Sequence, residues 1–175
     1  MTGKPRYQDV VNKLALLDRL IEFAPVIIGT PPLEIAIDTS DIDIACSSSD
    51  LSHFSDVVRL QFGGFEEFHV RSVDHLSHPA VVASFFAMDW QIELFCQALK
   101  TDDQWGVRHF RVEQRVLAIE PGLRDEVLKL RQQGLKTEPA FARLLDLKGD
   151  PYEAMLDLGD KSDKELREII NRRHQ

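Results

Sequence analysis

The chain has 175 residues, 43% of them hydrophobic, which is enough for one packed domain with room for a helical C-terminal subdomain. No run approaches the roughly 18 apolar residues of a membrane span, and the N-terminus opens an amphipathic segment in place of a signal peptide, so a cytoplasmic protein is expected. A net charge of −8 argues against a nucleic-acid partner, whose phosphates Lys and Arg must neutralise, but leaves room for a small nucleotide.

Tyr7, Val10, Val11, Leu14, Leu17, Leu20 and Ile21 recur at helical spacing and predict one helix over residues 6–22, stopped by Pro25. Val26–Gly29 reads as a first strand, leading through a Gly-Thr turn into Pro31-Pro32. Leu33–Ile37 reads as extended chain or a distorted turn, before a strand at 41–47. Ser48–Asp50 offers N-cap oxygens for a helix that ends at Gly63-Gly64. A meander follows, with strands at about 67–73, at 80–88 and through Glu93. From Asp102 onward the pattern is helical, interrupted at Pro121-Gly122, Gly134, Pro139, Gly149-Asp150-Pro151 and Gly159, giving four or five helices. The expected architecture is α+β, a mixed sheet flanked by helices over residues 1–100 and a helical region over 101–175.

The stretch that carries chemistry is residues 26–47. The apolar run Val26–Ile28 ends at Gly29 and Thr30, and ten residues later Asp41 and Asp43 interrupt a second apolar run. In a strand Asp41 and Asp43 share a face, while Ile42, Ile44 and Cys46 point the other way. Two carboxylates side by side repel, and burying them unpaired is costly. A hard cation such as magnesium, held by one or two carboxylates plus substrate phosphates, is the natural reason to keep them together.

Gly29-Thr30, ten residues, then Asp41-Ile42-Asp43 resembles the polymerase-beta-like nucleotidyltransferase superfamily. There an apolar strand and a Gly-Ser or Gly-Thr turn precede Asp-x-Asp, and a third acid follows in another strand. The resemblance implies that Glu93, in the alternating run Trp90–Cys96, is that third acid. It implies a nucleotidyltransferase-like fold in which Asp41, Asp43 and Glu93 hold magnesium (or manganese), two ions lying roughly 4 Å apart. A nucleoside monophosphate would pass from a nucleoside triphosphate to a hydroxyl acceptor that the resemblance does not name. Gly29 would let phosphate oxygens approach the backbone, and Thr30 would offer its amide and hydroxyl. Over nearly the whole chain, and most closely at Gly134–Ala142 and Gly149–Ala154, the sequence is similar to a small bacterial family of unassigned function within that superfamily.

One departure stands out. Pro31 to Ile37 offer no cation, so charge for a triphosphate has to come from elsewhere. Arg108, Arg111 and Arg115 fall on one helix face, and Arg108 and His109, nearest the helix start, are the candidates for nucleotide binding. Arg111 and Arg115 are better read as a solvated face paired with acids. Lys136 and Thr137 form another candidate anion contact, with helix capping an equal explanation for Thr137. His53, His69, His75 and His78 lack metal-ligand spacing. Cys46 and Cys96 read as reduced, buried small residues, and Trp105 as helix packing. The rival readings are a catalytically inactive nucleotide-binding module on the same fold, and a partner-binding, antitoxin-like protein that uses the helical tail.

Overall fold

The computed structural model describes residues 4–173. Among these, five strands form one sheet: β1 (Val26–Ile28), β2 (Ile42–Ser47), β3 (Glu66–Val73), β4 (Ala80–Ala87) and β5 (Trp90–Gln97). Their order is β1-β2-β5-β4-β3, with β2 and β5 parallel and every other pair antiparallel. A parallel pair cannot be closed by a tight turn. Here the chain leaves β2 through α3 (Leu51–Phe62), adds β3 and β4 as a meander, and returns as β5 beside β2. The fold is the expected α+β type with a mixed sheet and flanking helices.

Alternation decides which face is which. Ile42, Ile44 and Cys46 of β2, Val81, Ala83 and Phe85 of β4, and Ile92, Leu94 and Cys96 of β5 are buried together. Against them pack Val10 and Val11 of α1 (Tyr7–Lys13), Leu16 of α2 (Leu16–Arg19), and Phe54, Val58 and Phe62 of α3. The Phe62 and Phe85 rings stack with centroids 5.0 Å apart. Asp50 caps α3 by accepting the His53 amide at 2.9 Å.

The single helix expected over 6–22 is broken. α1 ends at Lys13, Ala15 takes a left-handed φ of 50°, α2 is one turn long, and a 3-10 turn covers Ile21–Phe23. The break has a packing reason. In a continuous helix, at about 100° per residue, Ile21 would lie within about 20° of Val10 and Leu16 about 120° away. The structure does the reverse: Ile21 is 73% exposed and Leu16 is fully buried. Helical spacing named Ile21 and passed over Leu16, and the kink reverses that choice.

The described chain divides into two compact units, residues 4–31 with 40–104, and residues 32–39 with 105–173. The second unit contains α4 (Trp105–Ile119), α5 (Leu123–Gln132), α6 (Thr137–Leu144), α7 (Pro151–Asp157) and α8 (Asp163–Arg172). Pro139 sits in the first turn of α6, where a proline costs no helical hydrogen bond. Thr137 is the first residue of α6, and its cap position, Lys136, makes no side-chain cap bond. Leu33 and Ile35 are buried members of this unit, and α5 holds their backbone. Arg124 Nε donates to the Leu33 carbonyl at 3.3 Å, and Arg131 donates to the Ile35 carbonyl.

The helical unit also buries a carboxyl. Glu113 is only 4% exposed, and burial, reinforced by Glu138 and opposed by Arg131, pushes its pKa well above the ordinary carboxylate range. A folded-state pKa raised above the unfolded one gives stability that is present at low pH and lost as pH rises through the folded value. Glu113→Gln should therefore raise the melting temperature at pH 8, and the gain should shrink toward pH 4, as thermal denaturation at both pH values would show. A gain independent of pH would mean that the charge of Glu113 is not what penalises the fold.

Candidate metal and nucleotide site on the sheet

The face of the sheet away from the apolar core carries the acids. Asp43 and Glu93 are register partners on the parallel strands β2 and β5, so their side chains leave the sheet side by side. Asp41 sits two residues before Asp43, one position ahead of the first residue of β2, where a strand residue was expected. All three are half-buried. Burial raises the proton affinity of Glu93, opposed by Arg71 and reinforced by Asp41. Asp41 shifts the same way, burial outweighing the pull of Lys4. Glu93 thus feels the charges of Arg71 and Asp41, and Asp41 that of Lys4.

Gly29 follows β1 and faces Asp43 through the Ile28–Asp43 register pair. Its φ is +80°, and a Cβ built on it would lie 2.3 Å from Asp43 Oδ2. Glycine is therefore required twice, for a backbone that L-residues avoid and for room to seat the Asp43 carboxylate. Thr30 is buried, and its hydroxyl donates to Ser40 Oγ at 3.0 Å. That bond ties together the two ends of the ten-residue excursion, so the Thr30 hydroxyl has a structural use not foreseen from sequence. Lys4 Nζ donates to the Ser40 carbonyl at 3.0 Å and lies 3.7 Å from the centre of the Trp90 ring.

The donor set is all oxygen, which suits a hard cation. Among the described residues no group of three or more His, Cys, Asp or Glu is arranged to hold a metal ion. The adjacent pair Asp43 and Glu93 fits a site of two protein carboxylates completed by substrate phosphates, and Asp41 stands beside it.

Arg108 and His109 belong to the helical unit. The buried His109 places Nε2 2.9 Å from the Tyr152 carbonyl and Nδ1 3.9 Å from Glu138 Oε1, so both ring nitrogens face groups within that unit. Arg115 donates to the carbonyls of Gly159 and Lys161 and to Asp163 Oδ1, fastening the turn before α8. Sequence reasoning passed over Arg71, Ser84 and Lys4. The signal for Arg71 was present in the period-two run His69, Arg71, Val73 of β3, which shares the acids' face.

Solved structures that share this fold include a Cid1 poly(U) polymerase mutant bound to MgATP, with a TM-score of 0.53 and 12% identity over 86% of this chain and 47% of that one. Cid1 in complex with its short product ApU gives a TM-score of 0.52 and 13% identity, covering 86% of this chain and 46% of that one. The GLD-2/RNP-8 complex gives 0.52 and 11%, covering 86% and 51%. The chain spans about half the length of the structures it matches. Its fold is thus of the nucleotidyltransferase class, as the sequence resemblance implied. Within that class the chain belongs to the family described as a domain of unknown function, DUF4269, whose model matches residues 9–158. No curated protein matches it.

Gly29→Ala tests the seating of Asp43. The clash is with a rotatable carboxylate, so the fold should survive with a loss of about 1–2 kcal/mol for the left-handed alanine, measured by urea denaturation. The Asp43 carboxylate should swing away, and any magnesium-dependent nucleotide binding should fall by more than that stability loss. Binding at wild-type strength would show that the orientation of Asp43 is not set by Gly29.

Proposed function

We propose that the acidic face of the sheet is the centre of a metal-dependent nucleotidyltransferase, which moves a nucleoside monophosphate from a nucleoside triphosphate to a hydroxyl acceptor. The observation that carries this reading is the parallel register of Asp43 with Glu93, beside a glycine whose missing side chain leaves room for the Asp43 carboxylate. The fold likeness supports the class of chemistry and leaves nucleotide and acceptor open.

In this reading the Gly29-Thr30 turn receives the phosphates of the nucleotide through its backbone, the side-chain space of Gly29 being taken by the Asp43 carboxylate. A magnesium or manganese ion held by Asp43 and Glu93, with Asp41 beside them, would supply neutralisation of the phosphate charge. Glu93, whose proton affinity burial raises, accepts the proton of the acceptor hydroxyl. The freed oxygen bonds to the α-phosphorus, the bond from that phosphorus to the bridging oxygen breaks, and pyrophosphate leaves with the electron pair. The proposal rests on residues of the sheet unit alone; the described contacts of His109 give it an architectural role among the helices.

A second reading, a catalytically silent nucleotide-binding module, is favoured by two observations. The Thr30 hydroxyl is engaged by Ser40, and the three acids form no ready-made metal group. Turnover of a labelled triphosphate into any product would remove it.

Calorimetric titration of MgATP and MgGTP into wild type and into the double variant Asp41→Asn/Asp43→Asn is the direct test. The expected result is saturable binding by wild type that chelation of the metal abolishes and the double variant lacks. Protons compete with the metal for the carboxylates, so affinity should fall as pH drops. The loss should begin above the ordinary Glu and Asp values of 4.5 and 3.8, because both Glu93 and Asp41 are shifted upward. Undiminished binding by the double variant would place the nucleotide elsewhere. No binding by well-folded wild type would favour a partner-binding protein.

A further inference from the structure

The sheet order sets out a line of functional groups. Ile28, adjacent to Gly29, pairs with Asp43, Asp43 with Glu93, Glu93 with Ser84, and Ser84 with His69. The line crosses β1, β2, β5, β4 and β3 in turn on one face, with a polar group on each of the last four strands and apolar Ile28 on β1. At about 4.8 Å per strand, β3 lies about 10 Å beyond Glu93, on the side away from the Gly29-Thr30 turn.

Arg71 is two residues beyond His69 on β3 and so stands on the same face, in the row Arg71, Val82, Phe95. It is exposed, and its charge reaches Glu93. Beside it, Val73, Ala80 and Val82 pack with Phe95 into a small apolar floor. The face is thus polarised, with carboxylates over β2 and β5 and an arginine and a histidine over β3. A substrate that approaches Glu93 from this side meets an arginine about two strands away, a side chain whose fork of N–H donors suits phosphate or carboxylate.

We propose that the acceptor lies over β4 and β3, presents its hydroxyl to Glu93, and carries an anionic group that Arg71 binds, with His69 and Ser84 as hydrogen-bonding neighbours. This rests on the nucleotidyltransferase reading above and gives the acceptor a chemical class: a small hydroxyl compound bearing a phosphate or carboxylate. Arg71 contacts the acceptor and takes no part in seating the nucleotide, which occupies the opposite end of the line. The roles of Gly29-Thr30 and of β3 are therefore separable by experiment.

The test uses the full chain, labelled with nitrogen-15, and follows amide shifts during titration with ribose 5-phosphate, with ribose, and separately with MgATP. Ribose 5-phosphate should shift His69, Arg71 and Ser84, whereas ribose at the same concentration should not. Arg71→Ala should weaken the ribose 5-phosphate response at least tenfold, and Arg71→Lys should restore part of it. Arg71→Lys, which keeps the positive charge near Glu93, should leave the MgATP response of Gly29, Thr30 and Asp43 unaltered, and unchanged amide positions elsewhere would verify the fold. Equal responses to ribose and ribose 5-phosphate, no response on β3, or an unweakened response in Arg71→Ala would overturn the inference, leaving Arg71 as a counter-charge to the acids. If MgATP fails to shift Gly29, Thr30 and Asp43 in wild type, the nucleotidyltransferase reading falls, and the acceptor role of Arg71 falls with it. A normal MgATP response with a silent β3 overturns the acceptor inference alone.

Discussion

Two carboxylates, Asp43 and Glu93, are held as neighbours on parallel strands, and much of the sheet unit can be understood as the means of holding them there. Unit charges about 5 Å apart repel by about 1 kcal/mol in water and by about 3 kcal/mol at an effective dielectric constant near 20. Against a net domain stability of about 5–15 kcal/mol, that is a substantial fraction to accept for no return. The opposite face offsets it: the residues flanking each acid, Ile42 and Ile44 on β2 and Ile92 and Leu94 on β5, are buried against α1, α2 and α3. Period-two alternation therefore lets one pair of strands anchor the core and display the repelling pair. Arg71 offsets part of the charge of Glu93, and Lys4 part of that of Asp41.

How much of this was legible depended on whether the governing interaction was local in sequence. The strands around Asp43 and Glu93 were readable because alternation is a two-residue pattern, and the cap at Asp50 because a helix start is signalled within a few residues. That Cys46 and Cys96 are neighbours follows only from the β2–β5 register. That register joins positions fifty residues apart, and no local pattern encodes it. The helix predicted over 6–22 failed for a related reason. Periodicity weighs Ile21 and Leu16 by their spacing alone, whereas the packed sheet selected Leu16 and turned Ile21 outward. Arg71 was missed because a lone arginine on an alternating strand looks like any solvated position until the sheet order shows which face it shares.

The missing cations after Thr30 also find an explanation. From Pro31 to Ile37 the sequence departs from what a triphosphate-binding turn would carry, and the structure shows that this segment serves packing. Leu33 and Ile35 are buried in the helical unit, and Arg124 and Arg131 hold their carbonyls. Glu34, in the left-handed region at φ 61°, lies with Oε2 3.4 Å from Arg124 Nε. The cations that meet this stretch arrive from α5 and bind its backbone. The ten-residue interval before Asp41 is thus constrained by two demands, an apolar anchor among the helices and the Thr30–Ser40 bond that closes its base.

Cys46 and Cys96 face each other across β2 and β5, three residues beyond the acid pair on each strand, and are fully buried. Burial holds both thiols in the protonated form, with that of Cys96 pushed up to about 12 and that of Cys46 higher still. Only a thiolate attacks an alkylating reagent, so in the closed sheet both sulfurs are inert. Their modification has to wait for β2 and β5 to part, an opening whose frequency is set by the local stability of that ladder. The two thiols are therefore natural reporters at the centre of the sheet: their rate of alkylation measures how often the strands that carry Asp43 and Glu93 separate. A ligand that bridges those carboxylates would slow that clock in proportion to how tightly it binds.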